Sequence, residues 1–193
     1  MSPRTLLPLL ASLFIVQGAF AGTEQAESRL KSAVDQVLAI ADKAKSTKSL
    51  ASDLRPVLVK SVSFDAMTRR AVGPGWRQFT DAQKKKATDL FTTLIIRTYS
   101  EKFTPGEHPV IDFKKASETA PGRVEIPTSL LYKGSRYTVI YRLEEPEGWR
   151  ITDIVAEGVS LIANYRTQFD AEFKKGGADA VINALNRAVA ETK

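Results

Sequence analysis

The chain has 193 residues, with 28 lysines and arginines against 22 aspartates and glutamates, a net charge of +6 at pH 7. It contains no cysteine and one histidine, which excludes disulfides and thiolate metal centres and leaves little for histidine-based catalysis. Its size fits one domain with a core of its own.

Residues 1–21 read as an export signal. Arg4 supplies the positive start, Leu6 to Val16 form an apolar run, and Ala19-Phe20-Ala21 gives the small-x-small cleavage pattern. The run is too short for a bilayer span, which needs about 20 apolar residues. The expected product is a single exported domain over residues 22–193, in a bacterial periplasm.

A long helix is expected over 24–45, with Leu30, Val34, Val37, Ala41 and Ala44 as its apolar stripe. Leu50, Leu54, Val57 and Leu58 mark a second helical segment, where Pro56 suits a first turn or a kink. Phe64, Met67, Thr68 and Ala71 mark a third, ended by Gly73-Pro74-Gly75. The clearest start follows: Thr80 with Gln83 is a capping box, and Asp81 suits the positive end of the helix dipole. Ala87, Leu90, Phe91, Leu94, Ile95 and Tyr99 give that helix a wide apolar face. Lys84-Lys85-Lys86, Lys114-Lys115 and Lys174-Lys175 read as solvated faces, although their sign would suit an anionic surface.

From Val110 the period becomes two. Strands are expected over 110–115, 123–132, 135–144 and 149–156, joined by turns that favour an antiparallel meander. Pro127 suggests an edge strand or a bulge. After Glu157-Gly158 the period changes again, and Val159, Ile162, Tyr165, Phe169 and Phe173 recur as on a helix face. Gly176-Gly177 stops this helix, and a last one is expected over 178–190. The fold class is therefore α+β: N-terminal helices, a four-stranded, mainly antiparallel twisted sheet, and C-terminal helices.

Little in this pattern does chemistry. His108 stands in a loop with no G-x-S-x-G pattern nearby and reads as a surface residue. No phosphate loop is spelled out. Asp153 and Glu157 could be imagined as an acid pair, but they read better as residues that orient the turn or meet Arg150 or Arg166. Tyr137 and Tyr141 interleave with Arg136 and Arg142 as in single-strand nucleic-acid binders, yet alternation puts tyrosines and arginines on opposite faces. No enzyme, cofactor, metal or nucleic acid is expected. The surplus is apolar surface, which fits either a close-packed core or a cavity between helices and sheet.

A set of motifs resembles the MlaC / toluene-tolerance family. Its carriers are Phe64-Asp65-x-Met67, then Ala71-Val72-Gly73 before Trp76, then Thr80-x-x-Gln83 leading to Phe91 and Tyr99. The most specific are Trp149-Arg150-Ile151-Thr152-Asp153-Ile154, Glu157-Gly158-Val159-Ser160-Leu161 and Asn164-Tyr165-Arg166-x-Gln168-Phe169. The resemblance implies a monomeric periplasmic phospholipid carrier with a deep apolar pocket, its bound lipid being cargo. It implies partners in an outer-membrane lipoprotein–porin complex and an inner-membrane lipid ABC transporter, and a role in outer-membrane lipid asymmetry. Hopanoid-associated relatives share the pattern, so the lipid class stays open, and an exported protein-binding adaptor without lipid is the alternative.

On that reading the pocket wall comprises Phe91, Ile95, Tyr99, Tyr137, Val139, Tyr141, Trp149, Ile151, Val159, Ile162 and Tyr165. If the strand parity is reversed, Ile140, Thr152 and Ile154 replace the strand members.

Overall fold

The computed structural model describes residues 17–107, 109–146 and 148–192, with side chains from Gly22 onward. The expected signal lies outside the described residues, apart from the backbone of 17–21, which is helical; His108 also lies outside them. The helices are α1 (Gln17–Lys43), α2 (Thr47–Ser61), α3 (Phe64–Val72), α4 (Asp81–Ser100) and α5 (Leu161–Glu191), with a 3₁₀ turn at Gly73–Gln78. The strands are β1 (Val110–Phe113), β2 (Ser117–Ala120), β3 (Arg123–Tyr132), β4 (Ser135–Glu144), β5 (Arg150–Ala156) and β6 (Val159–Ser160). The α+β class holds, with six strands where four are expected.

Local chemistry accounts for the element ends. Thr80 accepts the Gln83 amide at 3.2 Å while the Gln83 side chain accepts the Thr80 amide at 2.9 Å, which closes the expected capping box. Ser46 and Ser49 form another at the start of α2. Gly176 and Gly177 have non-helical dihedrals, with φ of +62° at Gly177, so α5 breaks where the sequence places a stop.

The sheet runs β1-β3-β4-β5-β6, with β2 also paired to β3, and every named strand pair is antiparallel. Pro127 is not at a free edge: it pairs with Ile140 of β4 and lies where the β1–β2 side gains one residue, between Phe113 opposite Thr128 and Ser117 opposite Glu125, in keeping with the bulge alternative. The Lys114 amide donates to its carbonyl at 2.9 Å, so its missing N–H points to the side where β1 gives way to β2. A residue's two backbone groups face the same neighbour in an antiparallel ladder, so the pairing with β4 loses nothing.

Two further corrections concern β5. Its pairing with β4 shifts register between Arg142 and Leu143, so Asp153 opposes Arg142, Ile151 opposes Leu143, and Thr152 is the extra residue. The bulge makes Ile151 and Ile154 share one face, which neither simple parity allows. Beyond it, Glu157 (φ +50°) and Gly158 (φ +78°) form a two-residue hairpin turn, and Ala156 pairs with Val159. Val159 therefore belongs to a strand, and the helix starts two residues later, capped by the Ser160 hydroxyl, which accepts the Ala163 amide at 3.0 Å.

Asp153 fixes that junction. Its buried carboxylate accepts the amides of Ile154 (2.9 Å) and Ile162 (3.2 Å), the Ser160 hydroxyl (2.7 Å) and the Arg142 guanidinium (3.0 Å). Hydrogen bonds to a charged group are each worth about 1.5–3 kcal/mol. Asp153→Ala is expected to lower unfolding free energy in urea by about 2–3 kcal/mol, and a change within experimental error would show that the junction does not depend on this carboxylate.

Candidate functional site

One face of the sheet turns toward the helices. Val124, Ile126, Thr128 and Leu130 of β3 lie opposite Leu143, Tyr141, Val139 and Tyr137 of β4, and Ile154 and Ile151 of β5 complete the face. Val124, Ile126, Leu143 and Ile151 share a core cluster with residues of α1, α3, α4 and α5. Thr128, the polar member, is satisfied by donating to the Val139 carbonyl at 2.9 Å.

Cover along β4 is uneven. Leu143 is 1% exposed, Val139 8% and Tyr137 41%. The uncovered end is the β3–β4 hairpin, and the C-terminal end of α4 is tied to it. The Thr104 amide donates to the Tyr132 hydroxyl at 2.9 Å, Lys133 donates to the Thr104 hydroxyl at 2.7 Å, and the Phe103 and Tyr132 rings lie 5.6 Å apart. Tyr99, one turn before Phe103, is 44% exposed. Tyr99 and Tyr137 thus stand at the same end of the molecule.

The helical side is aromatic. Phe91, Ile95 and Tyr99 follow one another at helical spacing on α4. Phe91 meets Tyr165 edge-on at 5.0 Å and Phe169 at 5.7 Å, joining α4 to α5. Burial raises the Tyr99, Tyr141 and Tyr165 phenols above the ordinary 10.0, and Tyr99 raises Tyr165 further.

The residues expected on the wall separate into groups. Val139, Tyr141 and Ile151 lie on the helix-facing side of the sheet, and Tyr137 on its exposed end. Phe91, Ile95 and Ile162 are buried, and Tyr165 is half-buried between α4 and the interior. Val159 is 60% exposed on the β6 edge, because the hairpin carries it away from the helix. Trp149 is buried but stands in the turn before β5 with φ +57°, its ring close to Gly22 of α1. Of the reversed set, Ile154 faces the helices, whereas Ile140 pairs with Pro127 and Val155 on the other side. Missing from the expected wall are Val124, Ile126, Thr128 and Leu130, whose alternation in β3 is plain but whose opposition to β4 depends on register.

The charged residues of the family-like motifs hold the frame. Arg166 donates to the Arg70 carbonyl at 3.0 Å, and Gly73 leaves room for its guanidinium. Arg150 donates to the carbonyls of Val59 and Val62, and the Thr138 amide donates to Glu157. A cavity of about 350 Å³ is lined by Arg70, Arg123, Glu125, Arg142, Glu144 and Asp153 among others. Its charges answer one another: Arg70 and Arg123 pair with Glu144, and Arg142 with Glu125 and Asp153. Among the described residues no cluster of three or more histidine, aspartate or glutamate side chains is arranged to hold a metal, and no helix is long and apolar enough to cross a membrane.

The family model described as MlaC protein matches residues 31–187. Among the seven solved chains that match is a phospholipid-binding protein from Ralstonia solanacearum, determined in complex with a phospholipid. It superposes with a TM-score of 0.80 at 26% identity, covering 87% of this chain and 98% of that one. No curated protein matches.

The raised tyrosines make stability depend on alkaline pH. The folded chain holds these protons more tightly than the unfolded chain. The resulting stability is fully present below pH 10.0, the ordinary value, and is lost as pH rises through the folded values. Each coupled proton contributes a slope of about 1.4 kcal/mol per pH unit in that window. Tyr141→Phe is expected to flatten the fall in unfolding free energy above pH 10.0; slopes identical to the parent chain would contradict the assignment.

Proposed function

The chain belongs to the MlaC family, matched over residues 31–187, and on that basis we propose that it carries a phospholipid by its acyl tails between the inner sheet face and the helices. The observation that carries this reading is the half-covered apolar face, running from sealed Leu143 to exposed Tyr137, on a fold that holds phospholipid in the Ralstonia protein. The physics is that of a container. Burying a methylene is worth about 0.8 kcal/mol, so two long acyl chains represent on the order of 20 kcal/mol of exposure in water. A water-borne carrier must cover nearly all of both chains. Because the tails leave one apolar environment for another, loading and release are close to neutral and need no chemistry from the carrier.

In this reading the chain works in the periplasm after loss of residues 1–21. It exchanges cargo with an outer-membrane lipoprotein–porin complex and an inner-membrane ABC transporter, and so maintains outer-membrane lipid asymmetry. Direction comes from those partners, since binding alone moves lipid only down its gradient.

Organic extraction of the purified protein followed by mass spectrometry is expected to release phospholipid, and Val139→Trp is expected to reduce loading from liposomes several-fold while circular dichroism stays native. A preparation that neither contains nor takes up lipid would favour the solid-cored adaptor. Full loading of the folded Val139→Trp protein would remove Val139 from the wall.

A further inference from the structure

Three tyrosines stand on three elements, Tyr141 and Tyr165 packed against the same core cluster and Tyr99 at its exposed end, and among the described residues no protein group bonds their hydroxyls. Tyr99 is on α4, Tyr165 on α5, and Tyr141 on the inner face of β4, further from the exposed end than Tyr137. The Tyr165 ring is fixed against Phe91 and Phe169, both at 5.7 Å or less, and its phenol is close enough to Tyr99 to feel its charge. Tyr132, by contrast, accepts the Thr104 amide. Among the described residues no hydrogen bond joins the Tyr99, Tyr141 or Tyr165 hydroxyl to the protein, and burial acts on all three with no such bond to offset it. None of the three hydroxyls is a fully buried orphan: Tyr99 is 44% exposed, and the Tyr141 and Tyr165 hydroxyls open onto accessible space rather than closed packing. They are therefore donors free to meet a ligand.

A diacyl lipid brings a matching need. Its two ester carbonyls sit where the tails join the glycerol, and an amide or ester oxygen taken out of water without a donor is costly. The carbonyls are neutral acceptors, so a phenol suits them and a charged side chain is unnecessary. Tyr99, part exposed, and Tyr165, half-buried, mark the level at which tails end and the polar part begins. We propose that Tyr99 and Tyr165, with Tyr141 behind them, donate hydrogen bonds to the ester carbonyls of the cargo and thereby select ester-linked over ether-linked chains. This rests on the carrier reading above. Ether oxygens are weaker acceptors and have no carbonyl to present, so a diether lipid of equal length fills the same volume without meeting the phenols.

The test is competitive loading of the full chain from liposomes holding equal amounts of a diester and a diether phospholipid with the same headgroup and chain length. A neutral hydrogen bond changes an equilibrium by about fivefold, so the parent chain is expected to favour the diester by about tenfold or more. In the Tyr99→Phe/Tyr165→Phe protein the diester is expected to fall to the level of the diether, and in Tyr99→Phe alone about half of the preference on a logarithmic scale should go. Equal loading of the two lipids by the parent chain, or an undiminished preference in the double variant, would overturn the proposal while leaving the carrier reading intact. Failure to load either lipid would overturn both.

Discussion

The placement of α5 against the sheet depends on one carboxylate. Asp153 collects four donors from β5, β6, α5 and the neighbouring β4, and so fixes where the chain leaves the sheet and becomes helix. Removing a carboxylate from water costs several kcal/mol unless it is answered. Here the answers are the Arg142 guanidinium and the positive end of α5, whose free amides and dipole favour a negative charge. The orientation is then held further along, where Arg166 bonds the end of α3 and Phe169 and Tyr165 meet Phe91. The charges in this region fix the junction, and the aromatic contacts hold α5 against α4.

Cover of the inner sheet face is graded. One end of the inner sheet face is sealed by helices, and the other, at the β3–β4 hairpin, is held beside the end of α4 by Tyr132, Lys133 and Thr104. A gradient of cover suits cargo with apolar tails and a polar end, because the two parts need opposite surroundings. The charged cavity beside Arg70 and Glu144 plays a different part. Its ion pairs neutralise one another and tie α3 to β4.

Much of this was legible in the sequence, for stated reasons. The Thr80–Gln83 box, the Gly176-Gly177 break and the alternation of β3 and β4 are local signals, and local chemistry decides them. The apolar stripe of α4 was equally plain. Three features were not. Strand β2, Ser117–Ala120, has no apolar alternation because it is exposed and pairs only with β3. Val159 suits a strand or a helix face equally, and the left-handed conformations of Glu157 and Gly158 together turn the chain into a hairpin there. The bulge at Thr152 reverses parity within β5, so Ile151 and Ile154 both face inward although an ideal strand would separate them. Each miss is a case in which strand pairing and turn geometry, not apolar periodicity, decide the conformation.

The central claim is that acyl tails lie against the inner face of the sheet, and photo-crosslinking tests it most directly. A phospholipid with a diazirine near the end of one acyl chain is loaded, irradiated, and its adducts are mapped by mass spectrometry. The account predicts adducts on inner-face and helical residues such as Val139, Tyr141, Ile154 and Ile162. Adducts confined to the opposite face, at Arg136, Ile140 or Arg142, or no adduct at all from a folded protein, would contradict it.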